Sequence, residues 1–347
     1  MTTPQRPLPP LSDLPPAPRN PHRGTPSRQP RSVRRTGHLN MTWPEGLGGL
    51  MHIDGAARDL VTAADGQAHV AASAELHVTA DQSRLLRSIS STPWREELRG
   101  LVGQSGGRGY RGRLQELVPD EIAAGSPLYF LLDDMPGVTL VGPFAWRVWP
   151  NALDGLGRVP RHRPSSAMRD ICSGFRSDGL PIRRMMNLED PQHNLVPAFE
   201  LDPGDDPLAW HAIEGPPGDS AMLRRRRRID VVVGPLLKVD AMFRDSMWDP
   251  QGVEIVVHEY GVGATVDPGT MRLTDIRADP RVLPFNTCPA AAGNVDLLLG
   301  EPMHTLRRRV LELLVGTDCC THLNDVLRAL AEVPVLVGEL EAAGALA

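Results

Sequence analysis

Two stretches of this 347-residue chain read alike in the same order, and a chain that repeats itself must build its fold around the repeat. Arg34-Arg35 aligns with Arg227-Arg228 at the first strand. Asp54, Arg58 and Asp59 then align with Asp240, Arg244 and Asp245, which is the best anchor of the series. Leu101-Val102-Gly103 falls against Leu298-Leu299-Gly300, and Tyr110 to Leu117 falls against Leu306 to Leu313. The spacing drifts only slightly between these anchors, as small loop insertions allow. The reading is two copies, residues 34–144 and 224–338, with a connector at 145–223 and a short tail at 339–347.

Each copy has strands first and helices after. In the second copy, segments starting at Ile229, Leu237, Val253 and Met271 are β-branched and partly alternating, the pattern of strands. Pro289 then opens a helical stretch that Gly300 stops. Leu306, Val310, Leu313 and Leu314 make one apolar helix face, and Cys320 or Thr321 caps a third helix that ends before Pro334. The fold class expected is α+β: an antiparallel sheet covered by two or three helices, built twice.

Composition excludes several classes. No apolar run approaches the roughly 18 residues of a membrane helix, the N-terminus lacks the apolar centre of a signal peptide, and four cysteines make no disulfide framework. These features point to the cytoplasm. Lys238 is the only lysine, and no phosphate-loop motif surrounds it. Residues 1–33 form an expected disordered tail: the first 35 residues hold ten prolines and seven arginines against one acid, Asp13. No aromatic residue interleaves those arginines, so the tail points away from nucleic acid. The run Arg224–Arg228 reads as a solvated strand start, and Asp133-Asp134 as an exposed helix end. The connector carries one expected short helix, 166–175, and otherwise turn-forming residues.

The second copy has polar chemistry that the first lacks. His258 sits inside an apolar strand, Cys288 precedes one helix, and Cys319-Cys320-Thr321-His322 precedes another. Cysteine and histidine are the usual ligands of zinc and iron, and a helix N-terminus stabilises a thiolate. The matching places in the first copy are Ala72, a Ser-Thr-Pro stretch at 91–93, and Ala124-Gly125-Ser126-Pro127. A centre, if formed, belongs to the second copy. The set expected to converge is His258, Cys288 and Cys320, completed by His322 or Cys319, with Asp240 or Glu259 supporting His258.

Residues 224–334 resemble an uncharacterised bacterial domain family. The resemblance rests on Arg228-Ile229-Asp230, Val239-Asp240 to Asp245, His258 to Asp267, Cys288 and Cys320-Thr321-His322-Leu323, with Cys319 where that family usually has glycine. It brings no known activity. The order strand, cysteine before a helix, Gly turn, helix, cysteine at the next helix start is more distantly similar to iron–sulphur assembly scaffolds of the NifU type. That similarity implies a labile cluster or a zinc ion held near His258, Cys288 and Cys320. Two function classes follow. One is a metal-binding protein, scaffold-like or accessory, holding zinc, iron or an iron–sulphur cluster. The other is a metal-free interaction module in which the paired copies bind a protein partner. Catalytic residues, reaction and oligomeric state do not follow from the sequence.

Overall fold

The computed structural model describes residues 10–149, 168–186, 194–202, 204–216, 218 and 220–345. Four strands open the chain: β1 (Ser32–Thr42), β2 (Met51–Thr62), β3 (Ala68–Ala80) and β4 (Leu86–Thr92). After a short β5 (Val196–Pro197), four more follow: β6 (Met222–Val232), β7 (Leu237–Trp248), β8 (Glu254–Asp267) and β9 (Arg272–Val282). The first strands of the two sets pair with each other, β1 antiparallel to β6, with Gly37 opposite Arg227. One antiparallel sheet therefore runs β4-β3-β2-β1-β6-β7-β8-β9, and β5 adds to the other end of β8. A single apolar cluster runs through both sets, so the halves share one core rather than closing separate ones.

The halves are alike in detail. Arg35 lies opposite Asp59 across β1 and β2, as Arg225 lies opposite Asp245 across β6 and β7. Both acids are followed at once by a β-bulge. Beyond each set of strands, a glycine with positive φ donates its amide back to a strand: Gly103 to the Leu86 carbonyl and Gly300 to the Leu273 carbonyl, both at 2.8 Å. By register Arg35 corresponds to Arg225, three residues from the first sequence anchor, and Asp59 corresponds to Asp245.

Helices cover one face. The first half supplies α1 (Tyr110–Leu117), α2 (Pro119–Ala123), α3 (Pro127–Val141) and α4 (Ala145–Val148), and α5 (Leu180–Met186) follows. The second half supplies α6 (Leu306–Leu313), α7 (Thr321–Ala329) and α8 (Val333–Ala342). Cys288–Leu298, expected as a helix, is a run of 3-10 turns. Ser126 caps α3 by accepting from the Tyr129 amide at 3.0 Å. α3 reaches the sheet closely because residue 137 is glycine: a Cβ there would lie 1.9 Å from Arg225 Nη1.

The other face is covered by extended chain, which corrects the expectation of a disordered tail for the described part of residues 10–33. Arg28 forms a two-point ion pair with Asp206 at 2.7 and 2.8 Å, and Trp210 Nε1 donates to Thr25 Oγ1 at 2.9 Å. Arg244 donates to the Phe199 and His22 carbonyls, and His22 contacts Glu259. Proline suits such a segment, because it holds extended backbone without needing ladder partners. The connector is corrected too. Residues 168–175 hold turns and a 3-10 segment, Ser173–Phe175, and the first two residues of the expected helix lie outside the described residues.

The five arginines 224–228 are not solvated. All are buried, because strand alternation sends them to both faces and each face supplies acceptors. Arg225 and Arg227 face the helices, binding Asp245 and Asp134. Arg224, Arg226 and Arg228 face the extended layer, against Asn40, Glu200 and Asp240. Asp133 and Asp134, expected at an exposed helix end, are likewise buried on α3. Asp133 accepts from Arg111 at 2.8 Å and Arg328 at 2.9 Å.

α8 closes this interior with a titratable contact. Burial and the neighbouring Asp59 push the Glu339 carboxyl up to about 8. Its Oε2, otherwise without a partner, is satisfied when it carries a proton and donates to Asp59. The folded chain therefore holds a proton that the unfolded chain has lost above its ordinary value of 4.5. Stability should fall as pH rises from about 4.5 to about 8 and then level off. Glu339→Gln should flatten that part of the profile in urea unfolding, and an unchanged slope would refute the assignment.

Candidate metal centre

The register of β7 and β8 sets the first two members of the site. Asp245 lies opposite His258, and the bulge that follows skips Val257. Both side chains face the helical layer, where α7 brings His322 down on its first turn behind Cys320. The two imidazoles stack with centroids 3.8 Å apart and planes 20° apart. Phe243, two residues before Asp245 on the same face, stacks on His322 at 5.9 Å, and Phe144 meets His258 edge-on at 5.9 Å. The rings form a ladder between sheet and helices.

Asp245 is fully buried and accepts from Arg225 Nε at 2.8 Å and Nη2 at 3.0 Å. Burial alone would raise its carboxyl, but the Arg225 guanidinium outweighs that and holds it below the usual carboxylate range. His258 Nδ1 stands 3.5 Å from Asp245 Oδ2, too far for a good hydrogen bond, and has no other partner. His322 Nε2 is buried without a partner as well. Burial, followed by the neighbouring His258, pushes His322 well below the ordinary imidazole range, so it is a neutral ring with a nitrogen to offer. Candidate ligand atoms of Asp245, His258 and His322 all lie within 4.8 Å of one another, and they are the one such group among the described residues.

The expected cysteines stand apart from this group. Cys320 lies beside the Tyr260 hydroxyl, Cys288 lies with Cys172 around Gly174, and Cys319 Sγ donates to the Ile171 carbonyl at 3.5 Å. All four cysteines are buried and free. Burial pushes the Cys172 and Cys319 thiols up to about 12 and raises Cys288 and Cys320 as well. Desolvation thus outweighs the helix N-terminus that was expected to favour thiolates.

The carboxylate near His258 also differs from expectation. Glu259 follows His258 directly and so faces the other layer, where it accepts from Arg244 at 2.6 Å. Asp240 faces that layer too, against Arg228. Asp245 was visible in the sequence as a repeat anchor and within the family resemblance, and its pairing with an arginine across the strand was the further signal.

In the first half, Asp59 keeps the acid and its arginine, but Ala72 lies opposite it where His258 lies opposite Asp245. The helix position two residues after the cap, His322 behind Cys320, is Leu128 behind Ser126. Residues 223–336 match the model of a family described as a protein of unknown function, DUF2889. That match holds all three members of the group and covers about a third of the chain, as the sequence resemblance to an uncharacterised family had it. No curated protein and no solved structure matches this chain. Among the described residues, no helix is long and apolar enough to cross a membrane.

Proposed function

We propose that the chain is a metal-binding protein whose centre, in the second half, consists of Asp245, His258 and His322. The observation that carries the reading is a pair of stacked, buried imidazoles, each with an unpartnered ring nitrogen, beside a buried ionised carboxylate. An unsatisfied buried polar group costs roughly 1–3 kcal/mol, so two of them at one point call for a common partner. Two histidines and one carboxylate suit zinc or iron and leave further coordination positions for other ligands. Both imidazoles would have to move apart from their 3.8 Å stack to hold one ion between them, with Asp245 beside them.

The shared registers, the paired bulges and the matching Gly103 and Gly300 contacts support descent of the two halves from one duplicated unit. In this reading the first half, with Ala72 and Leu128, is structural, and the second carries the centre. The role is scaffold-like or accessory. The cysteine-based ligand set implied by the NifU similarity is not needed for it.

X-ray absorption of the zinc-loaded chain distinguishes the two ligand sets. Scattering from nitrogen and oxygen alone at about 2.0–2.2 Å supports the proposal, and a sulfur shell at about 2.3 Å overturns it.

A further inference from the structure

The two halves end in edge strands, and only one of these edges is protected. β4 pairs with β3 alone, and β9 with β8 alone. Each ladder slips at the same place: Thr79 and Ala80 face Ser88 and Leu86, as Thr265 and Val266 face Asp275 and Leu273. Leu86 thus corresponds to Leu273, and Ser88, Ser90 and Thr92 correspond to Asp275, Arg277 and Asp279. Ser88, Ser90 and Thr92 are exposed, as are their three charged counterparts.

Natural sheets keep their edges from pairing by charging them. β9 follows that rule with Asp275, Arg277 and Asp279, and its far end takes the chain's own extended segment, Asn20 donating its amide to the Arg281 carbonyl at 2.8 Å. β4 carries hydroxyls at all three places. Its Leu86 end is covered, since Leu86 accepts from the Gly103 amide at 2.8 Å and donates to the Gln104 carbonyl at 2.9 Å. Among the described residues, however, no backbone group outside the sheet bonds to residues 88–92. That length of ladder is left open, flanked by Trp94 and Val102, which are 40% and 43% exposed.

We propose that β4 pairs antiparallel with β4 of a second copy of this chain, about a twofold axis through Ser90. Opposed residues in a ladder share a face, so this pairing sets Ser90 against Ser90 and Ser88 against Thr92. Opposed hydroxyl residues favour such a ladder, and like charges directly opposite disfavour it. The same pairing of β9 would set Arg277 against Arg277 and Asp275 against Asp279. Self-pairing is therefore open to β4 and closed to β9, and this match of β4 to itself selects a second copy as the occupant. The end of one strand lies beside the start of the other, so Trp94 of each copy comes to the corner formed by Val102 and Gly103 of the other. One sheet then runs through both chains.

Sedimentation velocity of the full chain tests this. The native chain should sediment as a pair at about 50 µM, as befits a small interface. Ser90→Lys and Ser90→Asp each put like charges opposite each other on the axis, and each should weaken self-association at least about tenfold. Ser90 is exposed, so both variants should keep the native circular-dichroism spectrum. An equal mixture of the two variants sets lysine against aspartate and should restore the pair. Arg277→Glu, at the matching place on β9, should leave self-association unchanged. A native chain that stays single at this concentration would overturn the proposal. So would a pair that survives both Ser90 variants, or a mixture of the two that fails to reassociate.

Discussion

Arg35→Met is expected to lower the unfolding free energy by about 3–5 kcal/mol, the usual result of removing one partner from a buried ion network. Arg35 is fully buried and donates to Asp59 from Nε at 2.6 Å and Nη2 at 2.5 Å. Its Nη1 also reaches the Gly125 carbonyl at 2.6 Å and contacts Glu332. Methionine would fill most of the volume but leave the buried Asp59 carboxylate without its cation, while Glu332 keeps Arg307 at 2.8 Å. Asp59→Leu in the same chain should recover part of the loss, since a buried pair replaced by apolar groups is often neutral. Urea unfolding of the two variants measures both effects. A loss below about 1 kcal/mol in Arg35→Met would mean that water or a rearranged neighbour already satisfies Asp59. The network ties the halves together, because Arg35 comes from β1 and Glu332 from the segment between α7 and α8.

The strand-then-helix order of each half was legible from β-branched alternation, from proline and glycine punctuation, and from the repeat itself. Asp59 and Asp245 occupy like register positions, each just before a bulge, with Ala72 and His258 opposite them. What escaped was the treatment of charge. A run such as Arg224–Arg228 reads as solvated by default, and only partners distant in sequence, among them Asp134 and Asp245, make its burial affordable. The same holds for Asp133 and Asp134, whose arginines come from α1, α7 and β6. The tail escaped for a related reason, since its proline content argues against helix and ladder but not against an extended segment laid on a polar sheet face. Within the site, the histidines were visible as isolated polar groups on apolar elements. The cysteines at the helix starts lie outside the Asp245, His258 and His322 group, and desolvation, which position at a helix start does not reveal, raises their thiols. Asp245 was read as a repeat anchor and a motif residue and not as a ligand, although an acid directly opposite a histidine in a ladder is also placed to share one.

The number of metal ions per chain is the most direct test of the centre. The full chain, purified without oxygen and reconstituted with zinc or ferrous ion, should hold one ion. His322→Leu installs the residue found at the matching position of the first half, so the helix start should persist while one ligand is lost and uptake falls to none. Cys288→Ser should keep its ion, because Cys288 lies with Cys172 away from the two histidines. One ion in the native chain, one in Cys288→Ser and none in His322→Leu is the predicted result. No ion in the native chain, or an ion kept by His322→Leu and lost from Cys288→Ser, would contradict the account.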